Sequence, residues 1–307
     1  MSAWQLNVVV NSAKALAPFQ AQLRQLKRTL LPLRMGHVHD LALQGACEQV
    51  QAIRELGVAV DGARVMEIGS GWYPVAPLVF RAAGARQVYL TDMHRLLHPR
   101  TLRAAMAFVA ERADRIEAAL GVPADAVRAG LDAPEGLDFQ GLLAWLGFTY
   151  LAPYDIARGP EIDIAYSHTV LEHISPEGLA GLFAGLRAKL APGGVMSHGV
   201  DHTDHRSNQD PALSTIDFLR YSDAAWKLFC LNPQDYTNRL RHPDYLKLIR
   251  EAGFGVAHEY RHVSPKAAAD AKTLPLWGRF AQLDEIELAT TWSLLITEPL
   301  PRQVTKA

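Results

Sequence analysis

Arg64-Val65-Met66-Glu67-Ile68, running directly into Gly69-Ser70-Gly71, is the stretch that decides the fold. A short apolar run that ends in a glycine turn reads as a buried strand whose chain must bend sharply at its end. A helix-like stretch follows, with Val75, Leu78, Val79 and Ala82 on one side and Gly84 closing it. Gln87-Val88-Tyr89-Leu90-Thr91-Asp92 then reads as a second strand. Strand, glycine turn, helix and strand make one βαβ unit of a parallel sheet.

The same texture continues downstream. A long helical stretch is expected over about 99–120, and Phe148 to Leu151 is a candidate third strand. Ile162 to Ser167 is a clearer fourth. Ser175-Pro176 starts a helix with serine as cap and proline at the first position, both favoured there. Its apolar stripe is Leu179, Leu182, Phe183, Leu186 and Leu190; Pro192-Gly193-Gly194 stops it, and Val195 to Val200 reads as strand five. Later strands are expected near Val256–Tyr260 and over Thr290–Thr297. The prediction is a doubly wound, mostly parallel α/β sheet, with ligands at the carboxyl ends of its strands.

Upstream, residues 1–60 read as N-terminal helices. Leu16, Phe19, Leu23, Leu26 and Leu30 recur at helical spacing with Arg24, Lys27 and Arg28 between them, and a second pattern runs from Leu41 to Leu56. The expected organisation is a helical segment (1–60), a core (61–200) with a helical insertion at about 98–147, a lid and acceptor segment (201–257), and closing strands (258–307) of the same domain. Within the lid, 201–245 is polar, aromatic and irregular, which suits a flap over a site better than a piece of sheet.

Composition excludes several classes. Of 307 residues 49% are apolar and 21% charged, enough for a large core and too apolar for global disorder. Lys plus Arg number 31 against 32 Asp plus Glu, so the basic excess of a duplex-binding protein is missing. The two cysteines, Cys47 and Cys230, make neither a disulfide framework nor a four-cysteine zinc site. The opening MSAWQLNVVVN lacks a basic region and is broken by Asn7 and Asn11, a poor signal peptide. No apolar run approaches the roughly 18–20 residues that span a bilayer. The expectation is a cytoplasmic, globular enzyme with no nucleic-acid or membrane partner.

The glycine turn discriminates between cofactors. A dinucleotide fingerprint needs Gly or Ala where this chain has Pro74, and no Gly-Lys-Ser/Thr follows as in a phosphate-binding loop. Glu67 at the strand end would repel a pyrophosphate but suits a cofactor carrying an ammonium and a sulfonium.

Glu67-Ile68-Gly69-Ser70-Gly71 resembles the first motif of class I S-adenosylmethionine-dependent methyltransferases, which have a Rossmann-like fold. Asp92 stands where that family's acidic residue binds the ribose hydroxyls, with Met93 beside it. Tyr154-Asp155-Ile156 resembles the adenine-side loop, and Asp163, Ser167 and Val170-Leu171-Glu172-His173-Ile174 continue the match. Leu190-Ala191-Pro192-Gly193-Gly194 matches the turn into strand five. The motifs cover roughly 61–200; Tyr73 replaces the third glycine of many members. The texture of the second half, with its Asn238-Arg239-Leu240-Arg241 run, resembles bacterial small-molecule tailoring methyltransferases. The resemblance implies S-adenosylmethionine as cofactor, held by Glu67, Gly69, Ser70, Gly71, Asp92, Met93, Asp155, Ile156 and Ser167.

Of the 12 histidines, His168 and His173 flank the end of strand four, and His198, His202 and His205 lie in or after strand five. Asp201-His202-Thr203-Asp204-His205 has three readings: a catalytic Asp–His pair using His202 or His205, with His168 close by; a metal site of His202, Asp204 and His205; or a hydrogen-bonded hinge. His173, Tyr236, Asn238 and Arg239 are the candidate contacts to a small-molecule or saccharide-like acceptor, methylated on O or N. Two other readings stay open on the sequence alone, a nucleotide-cofactor oxidoreductase and a cofactor-binding regulatory subunit without chemistry.

Overall fold

The computed structural model describes residues 35–230 and 236–301. The amphipathic pattern from Leu16 to Leu30, with Arg24, Lys27 and Arg28, lies outside the described residues. In chain order the elements are α1 (His37–Glu55), β1 (Arg64–Ile68), α2 (Val75–Ala82), β2 (Gln87–Thr91), α3 (Pro99–Ala110), α4 (Ala113–Leu120), α5 (Ala124–Leu131), α6 (Phe139–Leu146), β3 (Phe148–Leu151), β4 (Ile162–His168), α7 (Pro176–Lys189), β5 (Leu190–Asp201), α8 (Asp223–Phe229), α9 (His242–Glu251), β6 (Phe254–Val263), α10 (Pro265–Ala271), α11 (Glu285–Ala289) and β7 (Thr290–Pro299).

The strands form a single sheet in the order β3-β2-β1-β4-β5-β7-β6. β1 to β5 are parallel, and β7 runs antiparallel between β5 and β6. The order reverses between β1 and β4, which opens a crevice at their carboxyl ends. Successive residues of a strand point to opposite faces, and both faces here are covered. Val65, Tyr166, Val195 and Leu294 pack under the α1 side. Their neighbours Met66, Ala165, Met196 and Leu295 pack with α7 and α9 through Phe183, Leu186, Tyr245 and Ile249.

α1 buries Leu43, Ala46, Cys47, Val50 and Ile53, a stripe at three- and four-residue spacing. Gln49 on the same face donates to the Ser167 carbonyl (3.2 Å) and accepts from Ser197 Oγ (3.0 Å), which pins the helix across β4 and β5. At the opposite end of the sheet, the Arg64 amide and guanidinium both donate to Asp163, tying β1 to β4.

Three local expectations are corrected. The 99–120 helix is two helices, broken at Arg112, whose backbone leaves helical geometry and whose guanidinium lies over the Phe108 ring and reaches Asp40. Strand five starts at Leu190, with Ala191 to Gly194 absorbed as an irregularity where the β4 partner of Leu190 is Ile162 and that of Val195 is Ile164. Residues 201–245, expected to be irregular, contain α8 and the first turn of α9. Their apolar residues Ile216, Phe218, Leu219 and Trp226 form a third cluster with Ala267, Phe280, Leu288 and Ala289.

Arg241 joins this cluster to the sheet. It is fully buried and donates to the carbonyls of His202, Glu287, Leu288 and Thr290. Burial lowers its pKa only to about 10, so it is charged at neutral pH. Replacing Arg241 with Met leaves four interior carbonyls without that donor. The variant is expected to lose at least about 3 kcal/mol in urea unfolding, and a loss below about 1 kcal/mol would show that the carbonyls find other donors.

Candidate functional site

Five strand ends converge on the crevice. After β1 the chain turns through Gly69 (φ 76°) and Gly71 (φ 60°), in the region that disfavours side chains. A Cβ at Gly69 would lie 2.8 Å from the Val170 methyls, so glycine is also needed for the β1 and β4 loops to touch. The amides of Gly69 and Ser70 both reach the Thr91 carbonyl (2.9 Å). Asp92 closes the turn: its Oδ2 accepts from the Gly71 amide (3.0 Å) and its Oδ1 from the His94 amide (2.9 Å). A carboxylate has about four acceptor sites, so both oxygens retain capacity for hydroxyl donors. Met93, 69% exposed, follows on the surface.

Glu67 lies beneath this turn. Burial pushes its pKa up to about 7 against the pull of the Ser70 and Tyr166 hydroxyls, with the charge of Asp92 adding to the rise. Its Oε2 and the Ser70 and Tyr166 hydroxyl oxygens are buried without a well-formed hydrogen bond. Beyond β3, Asp155 is exposed and caps a short turn by accepting from the Ala157 amide, and Ile156 packs against Gly185.

At the end of β4, Thr169 has φ 54°, the one positive-φ residue other than glycine among those described. Strain of that kind concentrates at functional sites. The following turn, Leu171–His173, carries Glu172, which is 1% exposed with neither carboxyl oxygen in a well-formed hydrogen bond. Burial and then the nearby Asp201 charge hold its pKa well above the glutamate range. His173 Nδ1 meets the Tyr236 carbonyl at 2.8 Å. From the end of β5, Asp201 Oδ2 lies 3.3 Å from His205 Nε2, and the His173 and His205 rings are 5.1 Å apart. Despite burial, His205 and Thr203 draw the Asp201 pKa below its usual value. Glu172, His173 and His205 bring one ligand atom each within 4.8 Å of one another.

Several residues that the sequence pattern placed in the site sit elsewhere, and each has a physical reason. Ser167 is fully buried, with its hydroxyl bonded to His198 Nδ1 (2.8 Å) on the neighbouring strand. His202, 2% exposed, bonds Ser293 Oγ at 2.7 Å inside the protein; burial and the Arg241 charge hold its pKa well below the ordinary histidine value. It cannot meet an acceptor from there. Asp204 is gripped by Arg206 through both carboxyl oxygens, which removes it, with His202, from the metal set suggested by spacing. His168 packs between Gly45 and Trp292, and burial lowers its pKa to about 4. Asn238 donates to the Leu171 and Ile174 carbonyls and accepts from Tyr245, so it clamps the Glu172 turn instead of contacting an acceptor. Arg239 is bonded to the Phe218 and Tyr221 carbonyls and to Asp223. Tyr236 remains half-buried beside His173. Glu172 gains its place in the site only from the structure; its adjacency to His173, directly after a strand that ends in the crevice, is the signal the sequence holds for it.

No protein-family model matches the chain, and no curated protein matches it in sequence. Among solved structures it is similar to magnesium protoporphyrin IX methyltransferase from Synechocystis PCC 6803, at 14% identity and TM-score 0.48, over 94% of this chain and 98% of that one. It is also similar to an S-adenosylmethionine-dependent methyltransferase from Mesorhizobium loti, at 18% identity and TM-score 0.44, over 83% and 99%. A TehB-like methyltransferase from Corynebacterium glutamicum gives 10% identity and TM-score 0.40, over 92% and 96%. Likeness at this level leaves the chemistry to be read from the residues of the site.

The raised pKa of Glu67 has a sign that can be measured. An acid that holds its proton more tightly when folded stabilises the fold at low pH, and that contribution is lost as pH rises through the folded value of about 7. With no ligand added, the wild type should therefore lose about 3 kcal/mol relative to Glu67→Gln between roughly pH 5 and 8. Parallel stability curves for the two proteins would remove the charge of Glu67 from the turn.

Proposed function

We propose that this chain is an S-adenosylmethionine-dependent methyltransferase acting on an O or N atom of a small-molecule or saccharide-like acceptor in the cytoplasm. The observation that carries the reading is Glu67, a buried carboxyl with an unpartnered oxygen under an open glycine turn that Asp92 closes. An acid in that place disfavours a pyrophosphate and favours a ligand with positive charge at one end. Glu67, with Ser70, would face the cationic amino-acid end, and Gly69 and Gly71 would allow close approach of the backbone. Asp92 would take the ribose hydroxyls; Met93, Asp155 and Ile156 would border the adenine. When bound, that cofactor supplies an electrophilic methyl group on a sulfonium.

The acceptor would lie against the ends of β4 and β5, beside Tyr236 and His173, with the segment that follows β5 as its cover. His205, 30% exposed at its side chain, is the histidine placed to act. Asp201 holds its Nε2, which leaves the Nδ1 lone pair for a proton or a cation. Positioning an acceptor in line supplies several kcal/mol of barrier reduction by itself, and closure over it excludes water.

Titration calorimetry with S-adenosylmethionine tests the reading. Asp92→Ala should weaken binding by about 1–3 kcal/mol, the scale of lost charge-assisted hydrogen bonds. His205→Ala should depress turnover on a responsive acceptor while leaving cofactor affinity intact. Binding of a nicotinamide dinucleotide with no response to S-adenosylmethionine would replace this reading with the oxidoreductase one. Cofactor binding without turnover across a broad metabolite panel would leave a regulatory subunit.

A further inference from the structure

The group formed by Glu172, His173 and His205 has an organisation that packing alone does not explain. Two imidazoles and a carboxyl bring ligand atoms within 4.8 Å of one another. The carboxyl of Glu172 is 1% exposed, and neither oxygen has a well-formed hydrogen bond, only the weak pull of the Glu172 and Asp201 amides. The charge it senses is that of another acid, Asp201. Among the described residues no Lys or Arg donates to either carboxyl, and Arg241, close enough to sense Asp201, directs its donors to carbonyl oxygens. A buried carboxyl keeps its charge only where it is paired or bound to a metal ion, and otherwise holds its proton.

The partners of the two histidines decide which nitrogen could serve a metal ion. A carbonyl oxygen only accepts, so the His173 Nδ1 that meets the Tyr236 carbonyl carries the proton, and Nε2 of the neutral ring is the lone-pair nitrogen. His205 turns Nε2 toward the Asp201 carboxylate, which leaves Nδ1 as its lone-pair nitrogen. A carbonyl behind one imidazole and a carboxylate behind the other are the outer partners that fix tautomer and ring direction in metal sites. Asn238 adds rigidity by holding the Leu171 and Ile174 carbonyls on both sides of Glu172 and His173.

We propose that Glu172, His173 and His205 bind one divalent first-row transition ion, with Asp201 and the Tyr236 carbonyl positioning the two histidines. Mixed imidazole and carboxylate donors suit Mn²⁺, Fe²⁺, Co²⁺ or Zn²⁺ better than the all-oxygen preference of Ca²⁺ or Mg²⁺. Three protein ligands leave coordination positions for an outside oxygen. This site is distinct from the His202, Asp204 and His205 set suggested by sequence spacing. Ion binding stands independently of the methyltransferase reading, but its use does rest on it: an acceptor hydroxyl on the ion would release its proton to water more readily, leaving an oxygen nucleophile beside the cofactor crevice.

The test uses the full chain, stripped with a chelator and desalted, and titrated with Mn²⁺ while free ion is followed by electron paramagnetic resonance. One Mn²⁺ per chain is expected, displaced by Zn²⁺, with a rise in melting temperature on binding. Glu172→Gln, which keeps the shape of the side chain, and His205→Gln, at a partly exposed position, should each weaken binding by more than about tenfold and abolish the thermal shift. Asp201→Asn should weaken binding by about tenfold through loss of His205 orientation. If Glu172→Gln fails to fold, His205→Gln carries the test. No binding below millimolar Mn²⁺, or a bound ion indifferent to both variants, would overturn the site. S-adenosylmethionine binding without ion binding removes the ion alone, whereas ion binding without S-adenosylmethionine binding removes the functional reading alone.

Discussion

A guanidinium with no carboxylate across from it holds the working end of this molecule together. Arg241 is buried in the protein and satisfies its donors on backbone carbonyls at both sides of one junction: His202, where the chain leaves β5, and Glu287 to Thr290, where it enters β7. Carbonyl groups at such junctions fall outside the regular strand ladder and would otherwise be buried without donors, which costs free energy comparable to a lost hydrogen bond. A single planar cation with five N–H groups is suited to the task because a fork of donors can serve several acceptors at once. Fixing the His202 carbonyl also fixes the backbone from Asp201 to His205, so the orientation of His205 depends on a residue that does not touch it.

The residues on either side of Arg241 extend the same logic. Asn238 locks the turn that carries Glu172 and His173, and Arg239 ties the strut to the third apolar cluster through the Phe218 and Tyr221 carbonyls. The run from 238 to 241 is therefore an internal brace joining the β4 turn, the third cluster and the β5–β7 junction. Polar groups of this kind hold catalytic or binding side chains within a narrow range of positions. The brace accounts for Asn238 and Arg239, which the sequence pattern assigned to the acceptor, and for Arg241 beside them.

Strand positions were legible because apolar runs punctuated by glycine and proline have few alternatives in an α/β chain, and Ser175-Pro176 and Gly69-Ser70-Gly71 marked their turns correctly. The strand-end side chains were less legible, because location at the end of a strand does not give the phase of its alternation. Asp201 and His202 are adjacent, yet Asp201 pairs with Trp292 at the rim while His202 turns inward to Ser293. The phase follows from the register of β5 against β7, a contact far away in sequence. Ser167 and His168 face the same ambiguity in a central strand that is buried on both sides. The break between α3 and α4 was equally hidden: Arg112, which stands at it, is held by Asp40, a residue far away in sequence.

Two buried carboxyls without full hydrogen bonding, Glu67 and Glu172, remain at the ends of adjacent strands β1 and β4. Each is disfavoured in its charged form by its surroundings, and each has another acid nearby, Asp92 for the first and Asp201 for the second. Stability alone gives no reason for either, since an apolar residue of similar size is usually neutral or better at such positions. The arrangement is self-consistent once the crevice is filled from both sides by positive charge. A cationic cofactor end over Glu67 and a metal ion at Glu172 would each relieve one carboxyl, and strand β4 would bring the two charges to neighbouring positions. Thr169, strained between them and hydrogen-bonded to the Gly199 carbonyl, occupies the backbone that separates these two regions. On this view the strain and the unpartnered acids are one feature, a crevice whose walls are stabilised by what they bind.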